Sequence, residues 1–328
     1  MDWSIIVSQT FTQAIGWAAV VYGLAAIGLN VHFGYTGLLN FGQSAFLAVA
    51  AYGLAVTVAT FKLPFWLGIL IGLVLAVLLA VLLGIPTLRL RADYLAIVTI
   101  ATSEIVRLIV RSVAFKDVLG GSDGINNFAD SFYALNPFPG GLSFGPFVFS
   151  RNDLWIISVG WVLVGLAALI VWLLMRSPWG RVIKGIREDE DAVRSLGKNV
   201  YSYKLQSLIV GGVLGCLGGF VFAIYAQSVQ PDLYGTELTF FAWTILILGG
   251  AARVGGPIIG AIVFWGIMTF IVEFLNEATR VGVITFLRTD QVGQVRFMLL
   301  GLSLMLLMIF RPQGMFGDKK ELALDARR

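Results

Sequence analysis

The sequence predicts an all-α integral membrane protein, a polytopic helical bundle of about 8–10 transmembrane helices, some of them broken or re-entrant. Three observations carry this. Of 328 residues, 58% are apolar and only 13% are charged, where a soluble globular chain carries about 25% charged residues. The mean hydropathy is +0.87. The apolar residues also fall in continuous runs of about 20, the length of a bilayer-crossing helix, without the alternation of a membrane β-barrel. Together these exclude a water-soluble enzyme, a disordered tail protein and a nucleic-acid-binding domain.

Residues 3–61 hold no charge apart from any on His32. Only Asp2 precedes the first apolar run, with no basic segment, so this run reads as a retained span rather than a cleaved signal. Two spans are expected here, near 11–30 and 38–60. They flank a break at Asn30-Val31-His32-Phe33-Gly34-Tyr35-Thr36-Gly37. A third span runs from Trp66 to Leu88 and ends at Pro86, and a fourth runs from Tyr94 to about Val113. A polar connection rich in Gly, Pro and Asn covers 114–152, and a fifth span covers 154–175. A charged loop, 176–204, leads to a sixth span at 206–227. Segments 238–252 and 257–275 lie either side of Ala252-Arg253-Val254-Gly255-Gly256-Pro257, and the last covers about 293–310. Segments 238–252 and 297–310 are short for a full crossing, which suits snorkelling ends or a re-entrant half-helix. Cys216, the one cysteine, reads as a small core residue, and His32, the one histidine, as an interfacial side chain. An internal disulfide and a two-histidine metal site are thereby excluded.

Orientation follows from the basic residues. With nine crossings, Arg89, Arg91, Arg176, Arg181, Lys184, Arg187, Arg194, Lys198, Lys204, Arg253, Arg311, Lys319, Lys320, Arg327 and Arg328 share one side, a majority of the 23. Lys62, Arg107, Arg111, Lys116, Arg151, Arg280, Arg288 and Arg296 make up the rest. The C-terminus is therefore expected in the cytoplasm and the N-terminus outside.

Three features invite a chemical reading. In the loop, Ile183, Ile186, Val193, Leu196 and Val200 recur at helical spacings. Acidic residues crowd the early turns, Arg194 can pair with them, and Gly197 can end the helix. This describes one short amphipathic helix, either a solvated connector or a docking helix for a partner's groove. In the fourth span Glu104, Arg107 and Arg111 share a stripe near Thr99, Thr102 and Ser103. Charges in a span are costly, so the stripe is either a structural ion pair or the polar lining of a solute path. Gly34, Gly37 and Gly42 surround Asn40 and Gln43, marking either a tight packed turn or a broken helix that meets a polar solute. Gly211, Gly212, Gly215, Gly218 and Gly219 read as helix packing. The patterns G-x-x-x-x-G-K-[S/T] and H-E-x-x-H do not occur.

Five runs carry a resemblance: GLNVHFGYTGLLNFGQSAFLAVAAYG at 28–53, PTLRLRADYLAIVTIATSEIVRLIV at 86–110, GRVIKGIREDEDAVRSLGKNVYSYKL at 180–205, LGGAARVGGPIIGA at 248–261 and FRPQGMFG at 310–317. In this order they resemble LivM-type permease subunits of bacterial ABC importers for branched-chain amino acids, the LivH/LivM permease family. Two segments depart from the pattern, Asn40-Phe41 before the Gly-Gln pair and Ala251-Ala252-Arg253. The resemblance implies a single permease domain over 1–317, with a coupling loop at 176–204, an extracytoplasmic loop at 114–152 and a cytoplasmic tail at 318–328. It implies a multi-pass protein of the bacterial inner membrane that works by alternating access. Its partners would be a LivH-type permease, two cytoplasmic ATPases of the LivG and LivF types, and an extracytoplasmic solute-binding protein. The chain would be no enzyme and hold no cofactor, with ATP and Mg on the partner ATPases. Carried over by position, Arg187, Glu188, Asp189, Glu190, Ala192, Leu196 and Gly197 would couple to an ATPase. Asn40, Gln43, Tyr94, Thr99, Ser103 and Glu104 would line the solute pathway. Related permeases serve urea, short amides or a broader range of neutral amino acids, and a stand-alone secondary transporter is the further alternative.

Overall fold

The structure, a computed structural model, describes residues 2–88, 92–144, 147–282, 292–310 and 314–316. Arg89, Arg91, Arg288, Arg311, Lys319, Lys320, Arg327 and Arg328 lie outside the described residues, as do the tail 318–328 and the Arg296 side chain.

Helix α1 (Trp3–Ala14) starts on Asp2, whose carboxylate accepts from the Ser4 amide. Helix α2 (Trp17–Leu29) continues as a π-helix through Asn30–Tyr35. After an irregular stretch at 37–42 comes α3 (Gln43–Ala55), extended by a second π-helix, Val56–Thr60. Then follow α4 (Phe65–Thr87) and α5 (Ala92–Arg111). The connection to the next long helix holds α6 (Lys116–Leu119), β1 (Ile125–Asn126), α7 (Asp130–Ala134), β2 (Leu142–Phe144) and β3 (Phe147–Phe149). Helix α8 (Arg151–Arg176) opens with a reciprocal Ser150–Asp153 capping box. The loop beyond holds α9 (Pro178–Glu188) and α10 (Glu190–Ser195). Helix α11 (Val200–Ala226) leads to β4 (Ser228–Val229), which pairs antiparallel with β1. The chain then forms α12 (Thr236–Gly249), α13 (Gly256–Arg280) and α14 (Val292–Phe310).

Among the described residues, six helical segments are long and apolar enough to cross a membrane: Trp3–Tyr35, Gln43–Thr60, Phe65–Thr87, Arg151–Arg176, Val200–Ala226 and Gly256–Arg280. The other three expected spans correspond to α5, α12 and α14. At 1.5 Å per residue α12 rises about 21 Å, well short of a hydrocarbon core of about 30 Å. Its last turn is closed by the segment 314–316, where the Met315 and Phe316 amides donate to the Leu248 and Gly249 carbonyls at 2.8 and 3.3 Å. The chain is thus a polytopic helical bundle.

Two boundaries differ from expectation. The break does not fall at 30–37, because the helix runs on to Tyr35 and the chain opens only from Gly37, at φ +77°. The charged loop is two helices rather than one. Asp189 sits extended between them, and its carboxylate accepts from the Ala192 amide, so the acidic run caps a new helix instead of continuing the old one.

Helices α2, α3 and α11 form the centre. Apart from its first residue and Tyr22, every position of α2 is buried. In lipid, helices associate through close packing rather than through water exclusion, which favours small residues at the contact. Gly215 on α11 shows how close: a Cβ there would lie 1.7 Å from Gln43 Nε2. Helices α4, α8 and α13 pack outside this centre and expose Leu78, Leu82, Leu166, Leu169 and Ile267 among others, surface suited to lipid.

Candidate functional site

At the centre of the bundle lies a fully buried polar node. His32, from the π-helix, is 0% exposed, as are Asn40 and Gln43. His32 Nε2 meets the Leu208 carbonyl of α11 at 3.1 Å. A carbonyl only accepts, so Nε2 carries the proton and Nδ1 is left as an acceptor. Asn40 Nδ2 donates to that Nδ1 and to Gln43 Oε1, both at 3.0 Å, while Asn40 Oδ1 accepts from the Gly42 amide at 2.8 Å. The Asn40 carbonyl accepts from Trp243 Nε1 of α12 at 2.9 Å. The Asn40 amide and backbone carbonyl thereby bind an irregular segment that would otherwise bury unpaired peptide groups in a membrane protein. Gln43 Nε2 has no protein partner. His32 is therefore a core member of the node, not the interfacial residue its position suggested.

The node is anchored to α5 and braced toward one end of the bundle. The Phe41 amide donates to Thr99 Oγ1 at 3.0 Å, and the Ser44 amide donates to Thr239 Oγ1 at 2.9 Å. Asn30 clamps the turn before α13: its Oδ1 accepts from the Ala252 amide at 2.8 Å and its Nδ2 donates to the Arg253 carbonyl at 2.9 Å. Ala252 adopts φ +60°, a conformation this clamp holds without glycine.

Two cavities lie at opposite ends. One, of about 180 Å³, lies under α9 and α10 and is lined by Thr36, Thr87, Leu95, Arg187, Glu190 and Lys204 among others. Here Arg187 Nη1 donates to the Gly34 carbonyl, and Lys204 pairs with Glu190. The other, of about 300 Å³, is lined by Tyr22, Glu104, Arg107, Asp232, Glu237 and Phe241 among others. Arg107 pairs with Glu104 at 2.8 Å and with Asp232 at 3.1 Å, and Arg111 reaches Asp232 at 3.4 Å. One face of α5 spans both. Leu95 lines the first cavity, Thr99 meets the node, Ser103 follows, and Arg107 lines the second, over about 18 Å of helix.

The residues expected to line a solute path divide accordingly. Asn40, Gln43 and Thr99 are brought together at the node. Ser103 is buried one turn further, its hydroxyl donating to the Ile100 carbonyl of its own helix, and Glu104 lines the larger cavity. Tyr94 does not join them: it is 56% exposed. Five residues separate it from Thr99, which puts it about 140° round the helix, on the face of Ile97, Ile105 and Leu108. Leu95 holds the position assigned to it.

The loop residues divide as well. Ile183, Ile186, Val193 and Val200 are buried. Leu196, expected in the same stripe, is 78% exposed, because α10 ends at Ser195. Arg187, exposed along part of its length, and Glu190 line the smaller cavity, whereas Glu188, Asp189, Ala192, Leu196 and Gly197 lie exposed outside it. Sequence reasoning missed Asp232 and Glu237. Their signal was two acids beside a short helix, legible only once Arg107 and Arg111 have a place to reach.

Residues 12–310 match the family model for the permease component of the branched-chain amino acid transport system. The chain is 30% identical to the high-affinity branched-chain amino acid transport permease LivM of Escherichia coli, over 95% of this chain and 71% of that one. It is 24% identical to a probable LivM of Methanocaldococcus jannaschii, over 91% of each chain. A shorter match, 32% identical over 33% of this chain and 32% of the other, is to the autoinducer 2 import permease LsrC of Photorhabdus laumondii. A polytopic bundle with cavities at both ends of a buried polar node, and a family match over nearly its whole length, makes this chain a multi-pass membrane permease subunit that belongs to the branched-chain amino acid transport permease family.

Proposed function

We propose that the chain is the LivM-type half of an ATP-driven importer that carries branched-chain amino acids into the cell. The observation that carries this reading is the pair of cavities joined along one face of α5, with the Asn40–Gln43–His32 node closed between them. Such a closed centre with access from both ends suits alternating access. The larger cavity would face outward, toward a solute-binding protein, with the N-terminus on that side. The α9–α10 end, rich in Lys and Arg, would face the cytoplasm with the C-terminus, in the inner membrane of a bacterial cell. ATP and Mg would reside on two LivG- and LivF-type ATPases, and a LivH-type permease would complete the path. Asn40, Gln43, Thr99, Ser103 and Glu104 would line the route.

In this reading the exposed residues of α10 and its end, Ala192, Leu196 and Gly197, seat on an ATPase, with Glu188 and Asp189 at the edge. Arg187 and Glu190 carry the movement inward through Gly34 and Lys204. The test is leucine uptake by the assembled importer. Leu196→Asp abolishes uptake while the chain inserts and unfolds thermally as wild type does, because the side chain is exposed in the isolated chain. Glu190→Arg also abolishes uptake, with some loss of stability from the lost Lys204 pair. Normal uptake in Leu196→Asp removes the coupling role. Uptake by this chain alone, without ATPases, identifies a secondary transporter instead, and urea uptake without leucine uptake identifies an amide permease.

A further inference from the structure

We propose that the Arg107–Asp232 ion pair is the docking point for a zwitterion, the head group of an α-amino acid with an apolar side chain. The inference rests on the transport reading above and goes further by naming the atoms that receive the solute. Arg107 is held unequally by its two acids. Glu104, one turn away on the same helix, accepts from both Nε and Nη2, at 2.9 and 2.8 Å, which fixes the guanidinium plane. Asp232 comes from the 3₁₀ turn Pro231–Tyr234 before α12, holds only Nη1, at 3.1 Å, and is 69% exposed in its side chain. An ion pair with one strongly exposed partner contributes little, so this second contact is the exchangeable one.

The cavity beside the pair, about 300 Å³, lies at the lower end of the range for small-molecule sites. Its charged lining is three carboxylates, Glu104, Asp232 and Glu237, against the guanidinium of Arg107, and with Arg111, which reaches Asp232 from outside the lining, one negative charge is still in excess. The excess negative charge calls for an ammonium group. When a solute carboxylate takes Nη1 of Arg107, Asp232 keeps only its longer, 3.4 Å contact with Arg111, and the solute ammonium satisfies Asp232 in turn. Both charges are then paired, which neither a carboxylate alone nor an ammonium alone can achieve. Tyr22, Leu238 and Phe241 offer the side chain an apolar wall. Because Asp232 and Arg107 stand on different elements, the exchange also loosens α5 from the 231–234 turn, with Arg111 left as the remaining ionic tie. Urea and short amides carry no full charges and leave the pair closed.

The experiment is saturation-transfer NMR on the full chain in lipid nanodiscs, with L-leucine, L-leucinamide and 4-methylpentanoate as probes. L-leucine receives saturation, and the other two receive about tenfold less. Asp232→Asn lowers the L-leucine signal about tenfold, and Asp232→Glu restores most of it. Equal signals from the three probes overturn the proposal, a comparison that needs no variant to fold. So does an undiminished leucine signal in Asp232→Asn. Leucine uptake by the assembled importer separates the two readings. Wild-type uptake that Asp232→Asn leaves intact overturns this site alone, whereas a wild type that moves no amino acid overturns the transport reading together with it.

Discussion

The centre of the bundle and its two ends handle polarity in opposite ways. The node is built from neutral groups only, two amides, an imidazole and hydroxyls, and almost every donor and acceptor in it has a partner. The cavities are built from charges, Arg107 with Glu104 and Asp232 at one end, Lys204 with Glu190 at the other. The difference follows depth. A buried charge costs several kcal/mol in desolvation, and a satisfied neutral hydrogen bond does not, so charges sit where water reaches them. A closed permease thus keeps its seal neutral and its mouths ionic.

Breaking the seal gives the largest effect. Asn40→Leu orphans the Gly42 amide and Gln43 Oε1 and leaves His32 Nδ1 without its donor. Each buried orphan costs on the order of 1–3 kcal/mol, so thermal unfolding of the purified chain moves far down and uptake is lost. Wild-type thermal stability in this variant would mean that the node does not hold the 37–42 segment. Thr99→Val tests one link: it orphans the Phe41 amide at a cost of about 1–3 kcal/mol, and Thr99→Ser recovers it.

The charged regions predict smaller changes in stability. Arg194 pairs with Glu190 and Asp191 on the exposed side of α10. Arg194→Ala should shift stability by only about 0.3–0.5 kcal/mol. A fall in uptake without a matching fall in stability then marks Arg194 as part of a docking surface. The smallest effect lies in the connection 114–152, where Lys116 and Asp123 pair at 2.8 Å with both side chains exposed. The hydrogen bond and charge of Lys116 hold the Asp123 carboxyl below its ordinary value of 3.8. A lowered pKa contributes stability above the ordinary carboxylate range and loses it as pH falls through the lowered value. Asp123→Asn should therefore speed amide hydrogen exchange over 116–126 slightly at pH 7, and should make no difference well below pH 3.8.

Much of this was legible in the residues. Asn40, Gln43 and Thr99 stood out as polar side chains among glycines or in a span, and a buried polar group in lipid must find a partner. Glu104 and Arg107 stood out because ionisable residues in a span rarely lack a purpose. Other assignments failed for physical reasons. Tyr94 and Leu95 differ by 100° of helix rotation, which a one-residue ambiguity in the buried face cannot resolve. His32 looked interfacial because a π-helix that carries it inward leaves no composition signal. Leu196 looked buried because the single-helix reading ran through Asp189, where the chain in fact starts again.

The amino-acid sequence alone determined the membrane class, the order of the helices and the polar residues that matter. Continuous apolar runs and rare charges admit no other solvent than lipid and no other element than helix for most of the chain. Only the tertiary structure decided which of those polar residues meet. Asn40 reaches His32 through a turn, Thr99 reaches Phe41 across two elements, and Asp232 lies 125 positions from Arg107 along the chain. Hydrogen bonds and ion pairs are satisfied by distance in space, which helix periodicity specifies within one helix and packing alone specifies between helices.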